Sequence, residues 1–523
     1  MKLKLNGENL SLKEIELFAN KKSQLELSND SLEKIKRSAN FITESIKSDK
    51  VIYGITTGFG ELVRFIIPPS HSSLLQENLI KSHACGVPPY FSESESRAIV
   101  LSRLNCLSRG YSGIKPEIIQ TLIKILNSGW TPEIPQTGSL GASGDLGPLA
   151  HIGLIFIGEG FLINGDQRLR TKEVLKTLNI ELPQITSKEG LAIINGTSAM
   201  TGISALNTII ASRLLDAAIK ISSLSLQSLL ASSSPFKPEG HKLKHHKGQI
   251  FVANKIHCLL LDSKLTTTDE ERMEEIKNKN NDYYFSQVSL QDAYTLRCIP
   301  QVLGMSVETI KKVSETVINE LNSINDNPII LEDNNIFHGG NFHGQYISTA
   351  MDYLAICSNH IGMLSERRLA RMLDPKLNQG LSPFLAGDMA GLNCGLAGVQ
   401  YMSTSMVAEN NFLCSPVSIR SIPSNGNNQD FVSMGLLSAR RTRDILSNLS
   451  YVLAVELIAA VQAISQRGAD KLSPATQIIY KKALEYITPW KADRMYSDEI
   501  QAIAQALRNG NELLANEDEI LDL

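Results

Sequence analysis

Residues 202–231 read "GISALNTIIASRLLDAAIKISSLSLQSLLA". Apolar side chains fall on nearly every face of a helix drawn through this stretch. A helix that is apolar all round is buried among other elements rather than lying on a surface. We therefore expect residues 202–231 to form a buried helix of a large helical bundle.

Two later stretches have the same character. They are "DYLAICSNHIGMLSERRLARML" at 352–373 and "SARRTRDILSNLSYVLAVELIAAVQAIS" at 438–465, both long and rich in Leu, Ala and Ile. Alternating strand patterns are sparse, and only short pieces such as "NIFHGG" at 335–340 qualify. The predicted fold class is mainly α, a bundle of long helices with a turn-rich N-terminal domain.

The chain length sets the domain organisation. A chain of 523 residues exceeds what one compact core usually holds. We predict a turn-rich N-terminal domain over 1–200, a central long-helix bundle over 201–455 and a C-terminal helical segment over 456–523. Long helices with continuous apolar faces usually need partners, so a homo-oligomer is expected.

Charge and cysteine usage exclude several classes of protein. The net charge of -3 gives no electrostatic reason to expect a nucleic-acid or membrane partner. The seven cysteines form no CxxC pair, which indicates reduced thiols in the cytoplasm. No apolar run resembles a signal peptide, and the apolar stretch from Tyr451 is broken by Glu456. Lysines among His241, His245 and His246 would repel a cation, so we predict no metal.

Residues 138–148 read "GSLGASGDLGP", with a glycine at every third position. A nucleophile elbow would need a glycine where Asp145 stands, and a phosphate loop would need a following GK[ST] motif. A plain glycine-rich loop stays open as an interpretation.

A chemical interpretation competes with the plain loop. If the amide nitrogen of Gly144 attacks the carbonyl carbon of Ala142, a five-membered ring closes. Gly144 has no Cβ to shield its nitrogen, and Ser143 carries a hydroxyl that can leave as water. Ring closure and two dehydrations would give an electron-poor methylidene carbon, which otherwise only a cofactor supplies.

The same stretch, "GSLGASGDLGPLAHIGL", resembles the signature of the aromatic amino acid ammonia-lyases and aminomutases. Further resemblances run in family order along almost the whole chain. They are "VIYGITTGFGE" (51–61), "KSHACGV" (81–87), "KEGLAIINGTSAMTG" (188–202), "SLQDAYTLRCIPQVLG" (289–304), "NSINDNPII" (322–330), "FHGGNFHGQ" (337–345) and "NGNNQDFVSMG" (425–435). The resemblance implies a 4-methylidene-imidazol-5-one ring formed from Ala142, Ser143 and Gly144, without metal or nucleotide, and a homotetramer with shared active sites.

The resemblance also implies roles for single residues in removing ammonia across the α and β carbons. Tyr53 is the expected base. A phenol ordinarily loses its proton near pH ~10, so hydrogen bonds or positive charge must favour the phenolate. Arg297 is expected to bind the substrate carboxylate with its planar fork, and Tyr294 shares its helix face. Three further residues are expected to line the site or hold the ring or the substrate amine: Asn195, Gln291 and Phe342.

The substrate ring is expected to meet His83 and Tyr401, which resemble the residues that bind a phenol hydroxyl in tyrosine-acting aminomutases. Such a site rejects the analogue that lacks the hydroxyl. Histidine-specific members carry glutamate where this chain has Gln429, which argues against histidine. Asn428 and Gln429 are both expected to line the site. The resemblance therefore favours tyrosine, with phenylalanine and histidine as alternatives.

Whether ammonia is released or returned to the substrate decides between a lyase and a mutase. Glu61 in "TTGFGE", "SPFKPEGH" (234–241) and "SIPSNGNNQD" (421–430) resemble the bacterial tyrosine 2,3-aminomutases, which we favour over a tyrosine ammonia-lyase. A lid at "YGITTGFG" is expected to exclude water. The non-enzymatic alternative is an inactive helical scaffold, which loss of Ser143 or Tyr53 would have favoured; both are present.

Overall fold

The computed structural model describes residues 1–48, 50–277, 283–510 and 513–514. Helices dominate this part of the chain and the strands are short, so the predicted mainly α class is confirmed. The stretches quoted above lie in helices Ser198–Ser228, Gln345–Leu373 and Gly435–Arg467. The first of these begins before residue 202 and ends before residue 231.

The helices, in chain order, are α1 (Leu12–Ala19), α2 (Asn29–Lys47), α3 (Ser72–His83), α4 (Glu93–Ser108), α5 (Pro116–Asn127), α6 (Leu146–Gly153), α7 (Thr171–Thr177), α8 (Glu189–Ile194), α9 (Ser198–Ser228), α10 (Pro238–Lys242), α11 (Lys247–Leu260), α12 (Asp269–Ile276), α13 (Tyr294–Arg297), α14 (Ile299–Leu321), α15 (Gln345–Leu373), α16 (Ala397–Leu413), α17 (Gly435–Arg467), α18 (Pro474–Ala483) and α19 (Ser497–Asn509).

The strands of the described residues form three small sheets. The first is a parallel pair, the second an antiparallel three-stranded sheet, and the third an antiparallel pair in which Ile329 faces Phe337. In order, the strands are β1 (Lys2–Leu5), β2 (Gln24–Leu27), β3 (Thr131–Pro132), β4 (Phe161–Asn164), β5 (Gln167–Arg170), β6 (Ile329–Ile330) and β7 (Ile336–Phe337). The predicted short strand at 335–340 is therefore present as β7.

The described chain divides into two compact units. Unit 1 comprises Met1–Asn207, Val313–Asp352 and Pro416–Arg441, and unit 2 comprises Thr208–Lys312, Tyr353–Ser415 and the described residues from Thr442 onward. Helices α9, α14, α15 and α17 contribute residues to both. The three-part division at residues 200 and 455 stays a prediction, and its positions 511, 512 and 515–523 lie outside the described residues.

Helix α4 forms much of the core of unit 1. Ser92 begins it with a capping box, in which its hydroxyl accepts from the Glu95 N–H and the Glu95 carboxylate reaches back to the Ser92 N–H. Every residue from Ser96 to Ser108 is buried, including two arginines, Arg97 and Arg103. A helix buried on all sides must satisfy its charged groups internally.

A buried ion pair in unit 2 accounts for the glutamate that interrupts the apolar stretch of α17. Glu456 and Arg368 are both wholly buried, and the guanidinium donates to both carboxylate oxygens at 2.5 and 2.9 Å. The hydroxyl of Ser225 also donates to Glu456. In the described part of the chain, α17 is the helix long and apolar enough to cross a membrane, but most of that window is buried in the protein.

Candidate active site

The tripeptide Ala142-Ser143-Gly144 forms a tight turn just before α6. Gly141 and Gly144 pair across the turn, and Ser143 and Gly144 both have positive φ, at 54° and 76°. A positive φ is uncommon for a residue with a side chain and is held only where the surroundings require it. The surroundings therefore hold Ser143 at the tip of a strained turn.

Gly196, in the loop between α8 and α9, packs directly against this turn. A Cβ on Gly144 would lie 2.1 Å from the Gly196 carbonyl oxygen, so only glycine fits. The Gly196 N–H donates to the Ser143 carbonyl at 3.3 Å, and the Asp145 N–H donates to the Gly196 carbonyl at 2.8 Å. The turn is thus bound to a single residue, Gly196, on both sides of Gly144.

Asp145 fixes the end of the turn. Its carboxylate is fully buried and accepts from the Ser139 hydroxyl at 2.7 Å and from the Met200 N–H, in the first turn of α9, at 2.8 Å. Burial raises the pKa of Asp145 to about 7, although these hydrogen bonds oppose the rise. The carboxyl group joins the turn to the N-terminus of α9.

A cavity of about 540 Å³ opens over Ser143 within unit 1. It brings together five of the residues that the sequence predicts for the site: Tyr53, His83, Ser143, Asn195 and Gln429. The other residues that line it are Phe59, Gly60, Leu62, Leu75, Asn78, Leu79, Ser82, Leu146, Leu191, Ser424 and Asn425. We call it the unit-1 cavity.

Tyr53 is half-buried at the edge of this cavity. Its hydroxyl oxygen accepts a hydrogen bond from the Gly60 N–H at 3.0 Å, and its ring meets Phe59 edge to face. Gly60 opens a short 3₁₀ turn, Gly60–Arg64. This hydrogen bond fixes the position of the Tyr53 hydroxyl at the edge of the cavity.

His83 is the last residue of α3, and its geometry assigns its tautomer. Its Nδ1 lies 2.9 Å from the Leu79 carbonyl oxygen, which can only accept. Nδ1 therefore carries the proton, and in the neutral ring Nε2 is left as an acceptor. His83 can accept a hydrogen bond from a hydroxyl of a bound molecule.

Asn195 and Gln429 place amide groups near Ser143. The Asn195 Nδ2 donates to the Asn327 carbonyl at 2.8 Å, while its buried Oδ1 has no partner among the described residues. Gln429 donates from Nε2 to the Ser143 hydroxyl at 3.4 Å. The Asn195 oxygen is thus available to accept from an ammonium group.

Gln291 and Arg297 line a different pocket, of about 280 Å³, within unit 2. We call it the unit-2 pocket. Asp269 and Asp292 also line it, and Arg297 donates from Nε to the Asp292 carbonyl at 2.9 Å. Tyr294 and Arg297 share the short helix α13, with the guanidinium 4.8 Å from the ring centre, and Tyr294 is otherwise exposed.

Three further predicted residues do not line either of these pockets. Phe342 is half-buried ahead of α15, Asn428 is exposed in unit 1, and Tyr401 is exposed on α16 in unit 2. Sequence reasoning missed Asn78, Ser82, Ser424 and Asn425, which line the unit-1 cavity. Two of these, Asn78 and Ser82, could have been found from the sequence. Together with Leu75 they are spaced three and four residues apart, on one face of the helix that ends at His83.

Comparison with known proteins matches residues 10–485 to the aromatic amino acid lyase family. The chain is 47% identical to a tyrosine ammonia-lyase of Cupriavidus metallidurans, over 88% of this chain and 87% of the relative. It is 41% identical to an MIO-dependent tyrosine 2,3-aminomutase of Streptomyces globisporus, over 98% and 96%. A crystal structure of tyrosine aminomutase from that organism superposes with a TM-score of 0.93, at 40% identity, over 97% of each chain. The chain is an enzyme that belongs to the aromatic amino acid lyase family.

Proposed function

We propose that this enzyme is a tyrosine 2,3-aminomutase, which moves the amino group of L-tyrosine to its β carbon. The ring that it uses is a 4-methylidene-imidazol-5-one formed from Ala142, Ser143 and Gly144. The observation that carries the proposal is the meeting of the Ser143 turn, Tyr53 and His83 in the unit-1 cavity. The names of two relatives, a tyrosine 2,3-aminomutase and a tyrosine ammonia-lyase, support the same substrate.

The residues of the turn fit the ring. Gly144 leaves its nitrogen unshielded, Ala142 is small, and the positive φ values of Ser143 and Gly144 fold the tripeptide back on itself. The ring would supply an electrophilic carbon, the chemistry that can turn an amine into a better leaving group. Asn195 Oδ1 is the acceptor that would orient the incoming ammonium group.

The chain's own residues supply the proton transfer. Tyr53, supported by the Gly60 N–H, takes the proton from the β carbon of the substrate. Because the β proton is hardly acidic, the base and the departing amine must be held together in a site that excludes water. The 3₁₀ turn Gly60–Arg64 lies beside Tyr53 and is the segment that would cover it.

His83 supports tyrosine over phenylalanine. Its Nε2 is an acceptor for the phenol hydroxyl, and phenylalanine would leave that acceptor unpaired. Gln429 stands beside Ser143 as a neutral amide. An imidazole substrate would find no carboxylate at that position, which disfavours histidine.

The packing of two 3₁₀ turns beside the unit-1 cavity supports the mutase over the lyase. The 3₁₀ turn Gly60–Arg64 packs against a second one, Asn425–Asn427, so closely that a Cβ on Gly60 would lie 1.9 Å from the Asn425 amide nitrogen. A closed cover retains ammonia long enough for it to return at the β carbon. The second candidate, a tyrosine ammonia-lyase, is favoured by the 47% identity to a relative of that name.

The substrate carboxylate requires a cation. None of the described residues that line the unit-1 cavity is an arginine or a lysine. We propose that the enzyme works as a cytoplasmic homotetramer in which Arg297 of another subunit binds the carboxylate. Gln291 beside Arg297, and Tyr401, Phe342 and Asn428, are the other residues proposed for the shared site.

The test is to incubate the purified enzyme separately with L-tyrosine, L-phenylalanine and L-histidine and to identify the products. β-Tyrosine would support the mutase, and coumarate alone would establish the lyase instead. Urocanate would overturn the role given to Gln429. An inactive protein whose intact mass shows no loss of water would leave only the scaffold.

A further inference from the structure

Arg103 on α4 is a wholly buried arginine close to the Ser143 turn. Its Nε and Nη2 both donate to the Ala192 carbonyl, at 3.1 and 2.7 Å, and its Nη1 donates to Asn325 Oδ1 at 2.9 Å. Ala192 lies in the last turn of α8, where carbonyl groups lack partners within the helix. A buried guanidinium is costly unless it is hydrogen-bonded, so its position is tightly determined.

The Gly196 peptide lies between this arginine and the turn. A Cβ on Gly196 would lie 2.3 Å from Arg103 Nη1 and 2.4 Å from Asn325 Oδ1. On its other side, the Gly196 carbonyl would meet a Cβ on Gly144 at 2.1 Å. Protein interiors are close-packed, so a shift of Arg103 or Asn325 must shift Gly196 and, with it, the turn.

Gly196 also binds the main chain on both sides of the nitrogen that closes the ring. Its N–H donates to the carbonyl of Ser143, and its carbonyl accepts from the N–H of Asp145. These two hydrogen bonds lie on either side of Gly144, whose nitrogen must reach the carbonyl carbon of Ala142. An N–H on the Ser143 carbonyl stabilises the negative charge that develops there when the neighbouring Cα loses its proton.

We propose that Arg103 and Asn325 are positioning residues for ring formation, which they promote by holding the Gly196 peptide against the Ser143 turn. In the first step the Gly144 nitrogen bonds to the Ala142 carbonyl carbon, and that carbonyl oxygen leaves as water with the amide hydrogens of Ser143 and Gly144. In the second, the Ser143 Cα proton and hydroxyl leave as one water, and the C–H electron pair becomes the Cα=Cβ bond. The inference rests on the proposed function.

The same helix offers a matched control. Arg97 is also buried on α4, and it too donates to main-chain carbonyls, those of Phe18 at 3.0 Å and Leu126 at 3.3 Å. Its partners lie in other parts of unit 1 and not at Gly196. Lysine at either position keeps the charge but loses the fork that binds two acceptors at once.

The experiment follows the intact mass of newly synthesised Arg103→Lys and Arg97→Lys chains, sampling only molecules that resist protease and are therefore folded. We expect Arg103→Lys to lose its two waters roughly ten- to a hundredfold more slowly than the wild type, because small misplacements of reacting atoms have effects of this size. We expect Arg97→Lys to lose them at the wild-type rate, even where its thermal midpoint falls.

If Arg103→Lys does not fold, Asn325→Ala takes its place, with Asn105→Ala as the control. Asn105 is buried on α4 and donates to the Leu321 carbonyl at 2.9 Å. Water loss at the wild-type rate in the folded test variant, or an equal delay in its control, would overturn the inference. A wild-type chain that never loses two waters would instead overturn the proposed function.

Discussion

The unit-1 cavity and the unit-2 pocket differ in what lines them. The unit-1 cavity surrounds the Ser143 turn with apolar and uncharged polar side chains, whereas the unit-2 pocket contains Asp269, Asp292 and Arg297. Forming and using an electrophile depends on backbone geometry and a place that excludes water. Holding a carboxylate depends on a fixed cation. The proposed function therefore assigns the two tasks to separate stretches of the chain.

Among these variants, the largest loss of turnover is expected of Ser143→Ala, which changes the turn in the unit-1 cavity. Without the hydroxyl the second water cannot leave, so no methylidene carbon forms. We expect turnover of tyrosine to fall by at least about 10³-fold. The measurement is the rate of product formation together with the intact mass.

A control for this variant is Ser82→Ala, which removes a hydroxyl from the same cavity. Ser82 donates to the Leu79 carbonyl within α3 and not to the turn. We expect it to show the full loss of two waters. Turnover of tyrosine at the wild-type rate in Ser143→Ala would contradict the role of the tripeptide.

The next largest effect is expected of Tyr53→Phe, which leaves the ring-forming turn intact and removes only the base. We expect kcat to fall by about 10²–10⁴-fold, the usual contribution of a general base. The mass should still show the loss of two waters, because the Tyr53 hydroxyl is hydrogen-bonded to Gly60 and its removal leaves the tripeptide unchanged. A kcat within a few-fold of the wild type would show that another group takes the proton.

His83→Phe tests how the unit-1 cavity selects its substrate. We expect the variant to change the choice between tyrosine and phenylalanine and to leave the catalytic steps unchanged. The phenyl group offers no acceptor for the phenol hydroxyl. We expect the ratio of kcat/KM for tyrosine over phenylalanine to fall by roughly 10²-fold. The measurement is competition between the two amino acids in one reaction, and an unchanged ratio would show that His83 does not contact the substrate ring.

Arg297→Lys tests the unit-2 pocket. Lysine keeps the charge but loses the bidentate geometry, so we expect kcat/KM for tyrosine to fall roughly ten- to a hundredfold. Tyrosinamide, which has no carboxylate, serves as the matched substrate, and its turnover should change much less. An equal loss for both substrates would place Arg297 outside the carboxylate site.

The smallest effect on turnover is expected of Asp145→Asn, which instead changes how stability depends on pH. The pKa of Asp145 is raised to about 7, so its bound proton stabilises the folded state below pH ~4 and this contribution is lost as the pH rises to about 7. An amide has no such proton, so the free energy of unfolding should decline less over this range in the variant. Urea unfolding measures it.

Asp333→Asn is the control for this pH experiment. Asp333 is exposed, and hydrogen bonds from Asn335 lower its pKa, so its contribution changes only as the pH falls below the ordinary range of a carboxyl group. Its unfolding profile between pH ~4 and ~7 should match the wild type. If the free energy of unfolding declined equally with pH in Asp145→Asn and in the wild type, that result would contradict the buried, protonated carboxyl.

The long helices were predictable from the sequence because their apolar character is local. The partner of Glu456 was not, because Arg368 lies on another helix and no local pattern joins the two. The tripeptide could be found from its motif, whereas its packing against Gly196 could not. Likewise, the tautomer of His83 depends on the position of the Leu79 carbonyl, which only the folded helix defines.

The close contact of Gly144 with Gly196 limits where this enzyme can be redesigned. No side chain can be added at Gly144 without displacing the Gly196 carbonyl oxygen, which would lie 2.1 Å from its Cβ. Libraries aimed at new substrates should therefore vary Asn78 and Ser82, which line the cavity from α3 and lie outside the tripeptide turn. The tripeptide turn can then be kept unchanged while the selectivity of the cavity for its substrate is evolved.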